Sequence, residues 1–133
     1  MAVWGIGAHY HGNVKEDKTS DFIINERAYI GWNEKDAPAL YRMLDSIKIG
    51  DVIYIKSFSL RNKELIIKAV GIVKDTKKTY NNLGTGIDVA WKNNFKSFSI
   101  SVTPEIYRNN VFNNTLYEEF NKSIIDAIIK EFV

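Results

Sequence analysis

The sequence predicts one α+β domain over residues 1–133, built on a small, curved mixed β-sheet or pseudo-barrel of five to six strands with flanking helices. Short stretches of β-branched and aromatic residues recur along the chain and are separated by polar turns, as is typical of strands. Two further segments carry apolar residues at helical spacing, one of them at the C-terminus. Strands and helices do not alternate regularly, so a parallel βαβ fold is not indicated.

The first predicted strand covers residues 2–11, where large apolar side chains alternate with small or polar ones. Gly5 and Gly7 interrupt this strand. Glycine inside a strand indicates that a backbone or a ligand approaches closely. A polar loop and two short apolar segments follow, over residues 12–21, 22–24 and 28–32.

The first helix is predicted over residues 36–47. Asp36 is suited to the N-cap, and Pro38 lies near the first turn, where proline is tolerated. The side chains of its apolar stripe are Leu40, Met43, Leu44 and Ile47.

Gly50 and Asp51 form a predicted turn into a strand, and a return strand is expected after a polar turn at residues 61–63. The two strands cover residues 52–58 and 65–73. Alternation places Val52, Tyr54, Lys56 and Phe58 on one face and Asp51, Ile53, Ile55 and Ser57 on the other. Lys56 is then expected at the rim of the sheet, with its stem packed and its ammonium in water.

A long polar connection is predicted over residues 75–86, before strands at 87–91 and 95–102. Residues 115–133 predict a C-terminal helix, in which Thr115 and Glu118 have the spacing of a capping box. The apolar face of that helix is formed by Leu116, Phe120, Ile124, Ile128 and either Phe132 or Val133.

Composition excludes several classes of protein. Cysteine is absent, so disulfides and thiolate metal sites are excluded. The N-terminus lacks the features of a signal peptide, and no apolar run has the length of a membrane span, so we expect a cytoplasmic protein that makes no membrane contact. The net charge of +2 does not by itself indicate nucleic-acid binding.

Motifs for catalysis are missing. The sequence contains neither a GxSxG elbow nor a P-loop, and Gly5 and Gly7 are not followed by the third glycine of a dinucleotide fingerprint. His9 and His11 would share a strand face and could chelate zinc, but the chain has no further histidine, so Glu16, Asp17 or Asp21 would have to complete the site. We therefore predict no enzyme activity, no cofactor and no metal.

Binding chemistry is better represented. The residues predicted to line or read a base or ligand pocket are Trp4, Tyr10, Asp17, Trp32, Asn33, Tyr54, Ser57 and Trp91. The lysines predicted to meet phosphate are Lys56, Lys74, Lys77, Lys78 and Lys92. The alternative is that the tryptophans belong to the core and that the lysines form an ordinary solvated surface.

The order of these features resembles the PUA-like superfamily, and within it the EVE-like domains found beside the GTPase of McrB-type modification-dependent restriction systems. The resemblance spans about residues 3–105. The residues that carry it are Trp4, Gly7, Asp17, Thr19, Phe22, Gly50, Asp51, Lys56, Ser57, Ala69, Gly71, Val73, Val89 and Trp91. It implies a pseudo-barrel with flanking helices that binds modified bases in DNA or RNA through an aromatic-lined pocket, in the setting of restriction or phage defence.

Three functional hypotheses follow from the sequence. The first is a non-catalytic module that recognises a modified nucleobase or nucleotide in nucleic acid. The second is a stand-alone sponge or regulator that binds a small signalling nucleotide. The third is a protein-interaction domain that docks through its apolar C-terminal helix.

Overall fold

The computed structural model describes residues 1–11, 15–59, 61–101, 103 and 115–133. The strands are β1 (Val3–Gly7), β2 (His9–His11), β3 (Lys15–Asp17), β4 (Arg27–Ile30), β5 (Val52–Ser59), β6 (Glu64–Asn81), β7 (Gly84–Trp91), β8 (Phe98–Ser101) and β9 (Leu116–Glu118). The helices are α1 (Thr19–Ile24), α2 (Pro38–Ser46) and α3 (Lys122–Ile129), and a 3₁₀ turn (Lys130–Phe132) follows α3.

Six strands form one curled sheet in the order β4-β7-β6-β5-β1-β9, and β8 joins it by pairing with β6. The pair β1–β5 is parallel, and the other pairs of this sheet are antiparallel. The hairpin β2–β3 forms a separate two-stranded sheet. The prediction of an α+β fold on a curved mixed sheet is therefore confirmed.

Both faces of the sheet are buried, because β5 sends alternate side chains into two apolar clusters. Ile53 and Ile55 pack with residues of α1 and α2, and we call this side the α1–α2 face. Val52 and Tyr54 pack with Ile124 and Ile128 of α3 on the opposite side, the α3 face. The alternation predicted for this part of β5 is confirmed.

The Asp51 carboxylate ties β1 to β5. It accepts hydrogen bonds from the backbone N–H groups of Ala2 at 3.0 Å and Lys48 at 2.9 Å, and from Trp4 Nε1 at 2.9 Å. Burial raises the pKa of Asp51, but these donors outweigh that effect and hold the pKa below its ordinary value. The turn into β5 is thereby fixed to the start of β1.

β6 extends through most of the predicted polar connection at residues 75–86. It pairs with β7 as far as Asn81, with register shifts between Val73 and Thr79, and the turn between the two strands is at residues 82–83. Most side chains over residues 74–81 are exposed, so the strand has no apolar alternation that would reveal it in the sequence.

The C-terminal helix starts later than predicted, because residues 116–118 form β9 beside β1. Asn121 is the N-cap, and its Oδ1 accepts from the Ile124 N–H at 3.2 Å. The capping box at Thr115 is therefore wrong. Ile124 and Ile128 are buried as predicted, while Leu116 is buried in the sheet and Phe120 and Val133 are exposed.

Other element boundaries also differ from the predictions. The strand expected over residues 2–11 divides into β1 and β2, and the apolar segment 22–24 belongs to α1. The helix expected from Asp36 begins at Pro38 with Ala37 as its N-cap. The strand expected from residue 95 begins at Phe98, and its predicted last residue, Val102, lies outside the described residues.

In the part of the chain that the structure describes, every helix is too short or too polar to cross a membrane.

Two glycines of β1 differ in how closely their neighbours approach. A Cβ atom placed on Gly5 would lie 2.5 Å from Tyr117 Cζ and 2.8 Å from Tyr54 Cζ, whereas one on Gly7 would meet its nearest atoms at 3.9 Å. Gly5 therefore leaves space that two buried tyrosine rings occupy, as the sequence suggested for a glycine inside a strand.

We expect Gly5→Ala to lower the free energy of unfolding by about 2–3 kcal/mol, because the tyrosine rings are held in the core and cannot yield. Gly7→Ala is the matched control and should be neutral or stabilising by less than about 1 kcal/mol. Urea unfolding followed by circular dichroism measures both. Equal effects of the two substitutions would contradict the packing at Gly5.

Candidate functional site

Two of the three tryptophans are core residues. Trp4 and Trp91 are buried in the α1–α2 cluster, and their indole N–H groups are used inside the protein. Trp4 Nε1 donates to Asp51, and Trp91 Nε1 donates to the carbonyl oxygens of Phe22 and Arg27, both at 3.1 Å. The prediction that these rings line a ligand pocket is therefore corrected: they stabilise the fold.

Tyr54 is also a buried structural residue, on the α3 face. Its Oη donates to Glu119 Oε1 at 2.6 Å and lies 2.7 Å from Tyr117 Oη. Because the Tyr54 hydroxyl hydrogen is used by Glu119, Tyr117 donates to Tyr54. The Asn121 N–H donates to the second Glu119 oxygen at 3.1 Å. Burial raises the pKa of both tyrosines, so these hydroxyls remain protonated donors.

The prediction did not include Tyr117 and Glu119, because residues 115–133 have a helical apolar pattern that hides the short strand β9. The signal that pointed to this part of the structure was Gly5, which indicated a close approach on β1. It did not reveal which side chains would fill the space.

Lys56 is buried, not placed at the rim. The residue is 6% exposed, and its ammonium lies 5.7 Å from the centroid of the Tyr117 ring. In the sheet it stands opposite Gly7 of β1 and opposite Ile67 of β6. Burial lowers the pKa of Lys56 to about 8. Its neighbour Ser57 is half-buried.

Trp32 is the exposed tryptophan, with 55% of its surface accessible. Its backbone is nevertheless held firmly, since its carbonyl oxygen accepts from Tyr41 Oη at 2.8 Å. The carbonyl oxygen of the next residue, Asn33, accepts from the N–H groups of Asp36 and Ala37 at 3.0 Å. The indole is thus presented on a fixed backbone.

Tyr10 lies beside Gly31, the residue that precedes Trp32. Its ring packs on Gly31, where a Cβ atom would lie 3.0 Å from Tyr10 Cε2, and its Oη donates to the Leu83 carbonyl oxygen at 2.6 Å. We call Tyr10, Gly31, Trp32 and Asn33 the Trp32 surface. It brings together three of the predicted pocket residues, whereas Trp4, Tyr54 and Trp91 are buried elsewhere.

The Asp17 carboxylate is already occupied. Oδ1 accepts from the Thr19 N–H at 3.0 Å and from Thr19 Oγ1 at 2.6 Å, and Oδ2 accepts from Lys68 at 2.5 Å. Burial raises the pKa of Asp17, but these hydrogen bonds outweigh it and bring the pKa to about 2. Asp17 therefore stabilises the turn after β3 and is engaged before any ligand binds.

The predicted phosphate lysines do not form one group. Lys78 forms an ion pair with Asp45 of α2, and Lys92 Nζ donates to the Glu131 carbonyl oxygen at 2.6 Å. Lys74 and Lys77 are exposed on β6. Lys56 is buried on the α3 face.

Within the described ranges, no group of three or more His, Asp or Glu side chains could hold a metal ion. His9 stands opposite Asp17 and His11 opposite Lys15 in the β2–β3 hairpin.

Comparison with known proteins finds no matching family model and no similar curated protein. Functional conclusions therefore rest on the geometry of this chain.

The burial of Lys56 predicts a pH-dependent stability. Its pKa in the folded protein, about 8, is below the ordinary value of 10.5, so charging the amine opposes folding. The free-energy cost that the charged amine adds to folding is fully present below pH 8 and decreases as the pH rises toward 10.5. We expect Lys56→Met to raise the free energy of unfolding at pH 7 by up to about 3 kcal/mol. The difference from wild type should shrink between pH 8 and 9.5.

Urea unfolding in chloride buffers at pH 7 to 9.5 measures this difference. Lys92→Met, at an exposed position, reports the general effect of losing one positive charge. A difference between wild type and Lys56→Met that stays constant over the range would contradict the burial of a charged amine.

Proposed function

We propose that the protein is a non-catalytic binding module that recognises a nucleobase or nucleotide, including a modified base in DNA or RNA, by stacking on Trp32. The observation that carries this proposal is the exposed indole on a backbone held by three hydrogen bonds. A backbone fixed in this manner loses little conformational freedom when a base stacks on the indole. Stacking contributes about 1–3 kcal/mol per base in such sites.

A second exposed aromatic residue supports the same proposal. Tyr80 of β6 is opposite Thr85 of β7, and Thr85 is opposite Ile30 of β4, two residues before Trp32. Two strand spacings separate Tyr80 from Ile30, or about 10 Å. The register therefore places Tyr80 near the end of β4 that leads to Trp32.

Exposed lysines on the same strand supply positive charge. Lys74 and Lys77 precede Tyr80 on β6. The backbone N–H of Lys77 donates to Asp75 at 3.0 Å, and the described hydrogen bonds leave its side-chain ammonium available. Such lysines attract phosphate without reading sequence. The arrangement favours nucleic acid over an uncharged ligand.

The fold assignment is part of the proposal. A curled mixed sheet with flanking helices supports the PUA-like and EVE-like resemblance. The aromatic residues of the proposed binding surface differ from the pocket residues that the sequence predicted. The surface proposed here uses Trp32, Tyr10 and Tyr80, and the other two tryptophans belong to the core.

Trp32→Ala is expected to weaken binding by about 5- to 150-fold, which corresponds to one lost stacking contact. Wild type is titrated with unmodified, methylated and hydroxymethylated oligonucleotides and with the free nucleotides, and its tryptophan fluorescence is followed. The same probes are titrated into the variant by calorimetry. Phe120→Ala is the matched control, because Phe120 is 74% exposed and follows β9, next to the start of β1. It should leave binding unchanged.

Tight binding of free nucleotides without binding of oligonucleotides would favour the ligand-sponge hypothesis over the nucleic-acid reader. Full retention of binding in Trp32→Ala would contradict the stacking site, and no binding of any of these probes would remove the proposal altogether.

A further inference from the structure

The outer half of β6 presents a second aromatic ring on the side of the sheet that carries α2. Tyr80 is 75% exposed and is the direct cross-strand neighbour of Thr85 on β7. Directly opposite residues of an antiparallel pair place their side chains on the same face. The Thr85 side chain points to α2, since its Oγ1 lies 2.9 Å from Tyr41 Oη. Tyr80 therefore projects from the side of β6 on which Tyr41 bonds to the Trp32 carbonyl oxygen.

An ion pair agrees with this placement. Lys78, two residues before Tyr80, pairs with Asp45 of α2. Alternate residues of a strand share a face, so Lys78 and Tyr80 point to the same side. Asp45 follows Tyr41 by four residues, and residues at this spacing share a face of a helix. Register and ion pair thus both place Tyr80 on the α2 side of the sheet.

The backbone that carries Tyr80 is fixed. It pairs with β7 as far as Asn81. In the turn that follows, the Leu83 N–H donates to Asn81 Oδ1 at 2.8 Å, and the Leu83 carbonyl oxygen accepts from Tyr10 Oη at 2.6 Å. Tyr10 belongs to the Trp32 surface, so the turn and this surface are joined. The backbones that carry the two exposed rings are therefore held in a constant relation to each other.

Both rings are open to solvent, Trp32 with 55% and Tyr80 with 75% of its surface exposed. A base that is flipped out of a duplex is held in an enclosed pocket. Open rings instead stack on bases whose faces are already free. The internal bases of a duplex are covered by their neighbours, whereas the bases of a single strand are available to aromatic side chains. The exposure of both rings therefore favours an unpaired strand.

The segment that carries Tyr80 also has an excess of positive charge. Residues 74–81 contain Lys74, Lys77 and Lys78 against one acidic residue, Asp75. Lys74 and Lys77 are exposed. Surfaces that bind single strands combine aromatic rings for the bases with positive charge for the phosphates. Both parts of this combination are present on β6.

We propose that the nucleic acid bound by this protein is single-stranded and that two of its bases stack on the two fixed rings, one on Trp32 and one on Tyr80. The inference rests on the proposed function and specifies its ligand as an unpaired strand of DNA or RNA, in preference to a duplex or a mononucleotide. Lys74 and Lys77 attract the phosphates of that strand. Binding of this kind tolerates many sequences, because every base has a face that can stack.

The test compares strands of one composition in paired and unpaired form. A single strand of about eight nucleotides, prepared as DNA and as RNA, and a hairpin duplex are titrated into the protein at one salt concentration. Tryptophan fluorescence is the readout. The single strand should bind at least about tenfold more tightly, because the duplex offers phosphates without free base faces. The tighter of the DNA and RNA strands identifies the sugar that is preferred.

Variants of the second ring assign the effect to it. Tyr80→Ala should weaken binding of the single strand by about 5- to 150-fold, the loss of one stacking contact, and it keeps Trp32 as the reporter. Tyr80→Phe retains the ring and should retain wild-type affinity. A mononucleotide occupies one ring only, so its quenching of Trp32 should be the same in wild type and in Tyr80→Ala.

Three outcomes would overturn the inference: a duplex that binds as tightly as the single strand, an unchanged single-strand affinity in Tyr80→Ala, or an equal loss in Tyr80→Ala and Tyr80→Phe. In each case, loss of binding in Trp32→Ala would still support stacking on Trp32, so the two proposals fail separately. Absence of binding by every probe would remove both.

Discussion

The three N–H groups that meet at the Asp51 carboxylate hold the parallel pair β1–β5 in place, and the remaining architecture depends on that pair. β1 is the strand between β5 and β9, so its position decides which side chains enter each face. The bond from Trp4 Nε1 also satisfies an indole that the core would otherwise leave unpaired. One buried carboxylate thus fixes strand register and completes the packing of the α1–α2 face.

The two faces of the sheet are filled by different chemistry. The α1–α2 face is mainly apolar, and its tryptophan N–H groups are satisfied locally. The α3 face contains a connected set of polar groups in which Tyr117, Tyr54 and Glu119 form a chain that ends on the N-cap segment of α3. A satisfied network of this kind fixes one arrangement of helix and sheet.

An element could be predicted from the sequence where its own residues form a local pattern of strand-forming or apolar residues. β5 and β7 were recognised because β-branched and aromatic residues are concentrated in them. The outer half of β6 was missed because its side chains are exposed on both faces, and β9 because three residues are too few for a periodic signal. Trp4 and Trp32 each stand beside a glycine in the sequence. The buried Trp4 indole donates to Asp51, a residue 47 positions away, and a local pattern does not reveal such a partner.

The position of β1 also has a consequence for synthesis on the ribosome. Along the chain this strand precedes both of its neighbours, which come from residues 52–56 and 116–118. The hairpins β5–β6 and β6–β7 join segments that are close in the chain, so they are able to pair while translation continues. β1 gains its second partner only after residues 116–118 have been synthesised. Closure of this side of the sheet is therefore a late step in the folding of these residues, and until then the edge of β1 that pairs with β9 is open to other chains.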